Sequence, residues 1–79
     1  MHFVYVVRCA DGSLYTGYAL DPDDRVAVHN TGRGARYTSG RRPVRLVNSE
    51  SFDSIGDALR RERQLKRLSK EKKEALIAG

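Results

Sequence analysis

The chain has a single cysteine, Cys9, and so can build neither an intrachain disulfide nor a cysteine-based zinc site. No disulfide-linked partner is expected, and a reducing, cytoplasmic setting fits. Long apolar runs are also lacking: Val4 to Val7 is too short for a membrane span or for the apolar stretch of a signal peptide. No membrane role or export is expected. No Walker loop, CxxC pair, HExxH or GxSxG occurs. There are no repeats and no linker, and a chain of 79 residues removes only about 60% of its unfolded surface from water on folding. One domain over residues 1–79 is expected, with a core so thin that an ionisable group placed on it needs a reason.

Basic charge is plentiful and uneven. The net charge of +5 divides into −2 over residues 1–31 and +7 over residues 32–79. Such polarity suits a face held against a polyanion, because Lys and Arg gain affinity by releasing counterions from phosphates. It also suits a solvated surface of basic helices.

Residues 3–9 and 13–19 are β-branched and aromatic, with Ala10-Asp11-Gly12 between them, which predicts a β-hairpin. Two turns compete. A two-residue Asp11-Gly12 turn pairs Ala10 with Ser13 and puts Tyr15 on the face opposite Tyr5. A three-residue loop with Gly12 left-handed pairs Cys9 with Ser13, so that Tyr5, Val7, Tyr15 and Gly17 share a face. Asp21-Pro22-Asp23-Asp24 starts a helix, with Asp21 as N-cap, that runs to about Asn30 and is stopped by Thr31-Gly32. Residues 32–43 read as a Gly- and Arg-rich loop without periodicity, and Val44 to Ser51 as a third strand. Ser54 caps a second helix, with Asp57 three residues later as in a capping box and an apolar stripe of Ile55, Ala58, Leu59, Leu65 and Leu68. Ser69 caps a short third helix carrying Ala75, Leu76 and Ile77. The expectation is an α/β (α+β) unit in the order β-β-α-β-α-α.

Glu62 lies on that apolar stripe, where an ordinary surface glutamate would not be. A carboxylate at the margin of a small core needs a cation, a metal or hydrogen bonds to offset its desolvation. A salt bridge to a neighbouring arginine and a metal or catalytic role are both open. Arg25 and His29, four apart on the first helix, share a face. The pair suits phosphate chemistry: Arg clamps a phosphate while His moves a proton near neutral pH. Tyr5 and Tyr15 read either as packing or as chemistry, since a free phenol with a pKa of about 10 is a poor base without a cation or metal nearby. In the loop, Arg33, Arg36, Arg41 and Arg42 interleave with glycines and Tyr37, the composition of a phosphate-contacting segment or of a plain basic loop. Arg60, Arg61, Arg63, Lys66 and Arg67 surround Glu62 and suit either pairing with it or binding a polyanion.

Together these residues resemble the GIY-YIG nuclease superfamily over nearly the whole chain. The first motif corresponds to Phe3-Val4-Tyr5, with Phe3 in place of its glycine. The second corresponds to Tyr15-Thr16-Gly17, with Thr16 in place of isoleucine. Arg25, His29 and Asn30 follow on the first helix and Glu62 on the second. The stretches CADGSLYTG, HNTGRGARYTSGRRPVRLV and RRERQLKRLSKEKKEAL look like the small stand-alone bacterial subfamily.

The resemblance implies a three-stranded antiparallel sheet flanked by helices and metal-dependent endonuclease activity on DNA, in DNA repair or the processing of unusual DNA structures. It implies Tyr5, Tyr15, Arg25, His29 and Glu62 as catalytic residues, with Gly17 and Asn30 supporting them. Glu62 is the implied ligand of one Mg²⁺ or Mn²⁺. Nucleic acid is the expected partner, contacted by Arg33, Arg36, Tyr37, Arg41, Arg42 and Lys66. Two other readings use the same basic face: a non-catalytic nucleic-acid-binding module, and a surface that docks an acidic protein.

Overall fold

A computed structural model describes residues 1–79. Its elements are β1 (His2–Arg8), β2 (Leu14–Ala19), α1 (Pro22–Asn30), α2 (Arg36–Ser39), β3 (Arg45–Phe52), α3 (Ile55–Arg67) and α4 (Lys70–Ala78). The fold is α+β, with one antiparallel sheet in the order β2-β1-β3 and helices on both faces. The order is β-β-α-α-β-α-α, one helix more than the sequence predicts. The addition is α2, a single turn inside the Gly- and Arg-rich loop. Four residues are too few to show a helical repeat, and Ala35 caps the turn without a side-chain hydrogen bond, so no local signal marks it.

The hairpin closes through the three-residue loop. The Cys9 amide donates to the Ser13 carbonyl at 2.8 Å, and the Gly12 amide to the Cys9 carbonyl at 2.9 Å. Gly12 has φ +86°, a left-handed conformation that suits glycine. Val7 therefore faces Tyr15, and Tyr5 faces Gly17. All four lie on the same side of the sheet.

Strand alternation then sorts the core into two layers. Tyr5, Val7, Cys9, Ala19 and Val44 are buried on one face, with Tyr15, Val26 and Leu46 against them. Val4, Val6, Leu14, Ala58 and Leu65 are buried on the other, packed by Leu68, Leu76 and Ile77 from the carboxyl-terminal helices. A bulge where β3 pairs with β1 at Val6/Val7 sends Leu46 to the first layer and Val47 to the second.

The predicted caps are present: the side chains of Asp21, Ser54 and Ser69 each accept an amide in the first turn of α1, α3 and α4. The capping box at Ser54 is half made. The Asp57 amide donates to the Ser54 hydroxyl, but the Asp57 carboxylate accepts from Arg60 at 3.1 Å. Ile55, placed on the apolar stripe by its spacing, stands at the first position of α3 and remains half exposed. Two forked ion pairs fasten the helices to the sheet, Arg8 with Glu74 (2.7 and 2.6 Å) and Arg61 with Glu50 (2.8 and 3.1 Å). No helix is long and apolar enough to cross a membrane.

Candidate active site

The register of the hairpin prepares the site. Because Gly17 stands opposite Tyr5, the phenol lies over a residue with no side chain; a Cβ there would sit 2.5 Å from Tyr5 Oη and 2.6 Å from Cζ. Across the same face, α1 presents His29, whose Nε2 is 2.8 Å from Tyr5 Oη. Its Nδ1 is 2.7 Å from Thr38 Oγ1 in α2. Tyr5, His29 and Thr38 are all buried. The loop reaches the imidazole this closely because Gly34 has no side chain: a Cβ at that position would overlap Nδ1 and lie 2.9 Å from the His29 Cα.

From this buried chain a series of rings leads outward. Tyr15 lies edge-on to His29 with centroids 5.4 Å apart and stacks on Tyr37 at 5.8 Å. Tyr37 is exposed, and the Arg41 guanidinium covers it at 4.2 Å from the ring centroid.

Electrostatics separate the two central groups. Burial raises the pKa of Tyr5 above its ordinary value and prevails over the hydrogen bond and charge of Arg25, which lower it; the charges of Tyr15 and Glu62 add to the rise. Burial, and then the Arg25 charge, lowers the pKa of His29. At neutral pH the phenol holds its proton and the imidazole is uncharged.

Tyr5, Tyr15, His29 and Gly17 thus come together on one face. Arg25, exposed on α1, acts on both Tyr5 and His29. Glu62 comes from α3, which packs on the opposite face of the sheet, yet its charge is felt at the Tyr5 phenol. The Glu62 side chain is 17% exposed and pairs with Lys66 Nζ at 3.0 Å, the salt bridge being to a lysine rather than an arginine. No three His, Cys, Asp or Glu side chains gather to form a metal cage. A lone, largely sheltered carboxylate fits Mg²⁺ or Mn²⁺ only in the open manner of phosphate-processing sites, with water and phosphate oxygens completing the shell.

Residues 1–75 match the GIY-YIG catalytic domain family. The chain belongs to the GIY-YIG family. It is 58% identical over 77 residues to a UPF0213 protein of Halobacterium salinarum, covering 98% of this chain and 100% of the relative. A UPF0213 protein of Staphylococcus saprophyticus is 53% identical, with 98% and 94% covered. The solution structure of a UPF0213 protein from Bacillus halodurans superposes with a TM-score of 0.63 at 49% identity, covering 98% of this chain and 82% of that one. The subfamily thus extends from bacteria to archaea. GIY-YIG catalytic domains are typically nucleases acting on nucleic acid with a divalent metal.

Other residues singled out as GIY-YIG site or contact positions have structural tasks in this fold. Asn30 is a clamp: its side-chain amide donates to the Val44 carbonyl at 3.0 Å and accepts the Val44 amide at 2.7 Å, fixing the end of α1 to the start of β3. Arg42 donates to the Ser39 carbonyl at 3.0 Å and the Asn30 carbonyl at 3.4 Å, caps for two helix ends. Arg41 holds Asp11 at 3.0 Å and the Tyr37 carbonyl at 2.7 Å. Arg33 and Arg36, in contrast, are exposed and pair with no carboxylate. Lys73, not among the residues singled out from the sequence, is a neighbour of the Lys66 that pairs with Glu62: burial and then the Lys66 charge lower its pKa. Thr38 and Gly34 were also missed, because a threonine and a glycine in a loop of arginines and glycines carry no periodic or motif signal.

Proposed function

We propose that the chain is an endonuclease that hydrolyses phosphodiester bonds in DNA with one divalent metal ion, and that it works in the cytoplasm on DNA undergoing repair or adopting unusual structures. The observation that carries this reading is the buried 2.8 Å contact between Tyr5 Oη and His29 Nε2, with the charges of Arg25 and Glu62 both acting on that phenol. A phenol whose pKa is raised cannot serve as a base alone, but it can pass a proton on. As water attacks phosphorus, its proton moves to Tyr5 Oη while the Tyr5 proton moves to His29 Nε2. The bond from phosphorus to the 3′ oxygen breaks, and that oxygen takes a proton from solvent. Arg25 holds the phosphate and offsets the charge that develops on it. Tyr15 packs the imidazole and carries the aromatic face toward Tyr37. Glu62 would hold a Mg²⁺ or Mn²⁺, which would supply Lewis-acid stabilisation of the charge developing on the phosphate. Arg33, Arg36 and Lys66 contribute phosphate contacts.

Purified protein incubated with branched, nicked and linear DNA and Mn²⁺ is expected to cleave at least one of them, and the Glu62→Ala variant none. Equal activity in both, or none under any condition, would sink the catalytic reading. One observation favours a binding module instead: Lys66 already neutralises Glu62. In that case DNA binding falls steeply with salt, and Glu62→Ala leaves it intact or tightens it.

The relay also sets a pH dependence. Only uncharged His29 accepts the proton, and its pKa lies below the ordinary value of about 6.5. kcat/KM is therefore expected to fall on the acid side with a midpoint below about pH 6.5. A midpoint above 7 for that limb would contradict the assignment. Stability follows the same sign. The contribution of uncharged His29 is present above its unfolded pKa and is lost as pH falls through the folded one.

A further inference from the structure

Both nitrogens of the buried His29 are engaged, and which of them bears the proton is decided by the groups around them. If Nδ1 carries it, that N–H donates to Thr38 Oγ1 at 2.7 Å, and the Thr38 hydroxyl donates in turn to the Ala35 carbonyl at 2.9 Å. Nε2 then offers a lone pair to the Tyr5 hydroxyl at 2.8 Å. Every proton in the chain has an acceptor. If Nε2 carries the proton instead, the buried Tyr5 hydroxyl must accept from it. Its own proton then has no hydrogen-bond acceptor, since the one protein atom bonded to that oxygen is His29 Nε2 and Arg25 is another donor. Thr38 must also turn its hydrogen from Ala35 toward Nδ1, leaving two oxygens 2.9 Å apart with none between them. One contact favours this second form, the Ala35 amide aimed at Nδ1, but at 3.4 Å it is the longest of the set.

We propose that Thr38 is a positioning residue that fixes His29 as its Nδ1–H tautomer, holding the Nε2 lone pair toward Tyr5, and that the bare backbone of Gly34 admits the loop which places it. This deepens the proton relay proposed above. The acceptor is set before any substrate arrives, and the imidazolium formed during attack keeps its Nδ1 proton directed at a hydroxyl whose own proton is committed to a carbonyl.

The tautomer can be observed without any nuclease assay. The chain has two histidines, so long-range proton–nitrogen correlation NMR of the ¹⁵N-labelled protein, with His2→Gln to assign the signals, reads His29 directly. The wild type is expected to show a protonated Nδ1 and a bare Nε2. Thr38→Val keeps the shape but neither accepts nor donates, and is expected to move the proton to Nε2 and to lower kcat/KM at least about tenfold. Thr38→Ser is expected to restore both. A wild-type spectrum with a protonated Nε2 would overturn the proposal, as would Thr38→Val retaining the Nδ1–H form. If Thr38→Val does not fold, the wild-type spectrum and Thr38→Ser still decide. A wild type with the expected tautomer but no cleavage of any DNA leaves the positioning intact and removes the nuclease reading alone.

Discussion

Tyr5→Phe is expected to lower kcat/KM on cleaved DNA by roughly 10²–10⁴, the usual range for losing a positioned proton-transfer group. The ring that fills the space over Gly17 remains, and only the oxygen bonded to His29 Nε2 is lost. Leaving that buried nitrogen unpaired costs about 1–3 kcal/mol, so the variant stays folded at moderate temperature. Its affinity for DNA, measured at fixed salt without divalent ion, should stay within about twofold of wild type, because no phosphate contact has been removed. Tyr15→Phe gives the contrast: Tyr15 meets His29 and Tyr37 through its ring, and its hydroxyl bonds to no protein group. A loss in Tyr15→Phe as large as in Tyr5→Phe would move the relay to Tyr15.

Gly34→Ala is expected to be comparably damaging for a different reason. The added methyl overlaps His29 Nδ1 and lies 2.9 Å from the His29 Cα, and the backbone of the last turn of α1, clamped to β3 by Asn30, cannot swing aside as a flexible side chain can. The loop must lift, and with it go the contacts of Thr38 and Ala35 to the imidazole. Overpacking of this kind costs about 1–3 kcal/mol, readable as a lower urea midpoint, and amide exchange at Thr38 should quicken. Cleavage should fall with it. Gly40→Ala is the control, since a Cβ there meets nothing within 4 Å and Gly40 does not have a positive φ. Equal behaviour of the two variants would mean that the close approach at Gly34 is unimportant.

How far the site could be read from the chain depends on the range of the contacts. Arg25 and His29 share a helix face by arithmetic, and Asp21, Ser54 and Ser69 mark helix starts by chemistry confined to a few residues. Whether Tyr5 and Tyr15 share a face was undecided until the hairpin register was known, since Asp11-Gly12 suits both turns. Thr38 and Gly34 act on a histidine nine and five positions earlier through a loop path that no periodicity encodes. The intramolecular bonds of Arg41 and Arg42 are hidden from the sequence for the same reason. Composition suits a phosphate-contacting segment or a plain basic loop, and it does not show that Nε and Nη1 of these arginines meet the carbonyls of Tyr37, Ser39 and Asn30 and the carboxylate of Asp11. Glu62 stood out because one polar residue interrupted an otherwise apolar stripe.

The hairpin loop has a bearing on motion. The three-residue loop sets the register that brings Tyr5 and Tyr15 to one face, and its first residue has a further bond to make. Its amide, on Ala10, donates to the Arg41 carbonyl at 2.9 Å, while Asp11 receives Arg41 Nε at 3.0 Å. The tip of the hairpin is therefore tied to the segment that follows Thr38, and it is expected to restrain a hydroxyl it never touches. Loosening that tie would be felt as faster opening around His29, a case of one turn setting the stiffness of another.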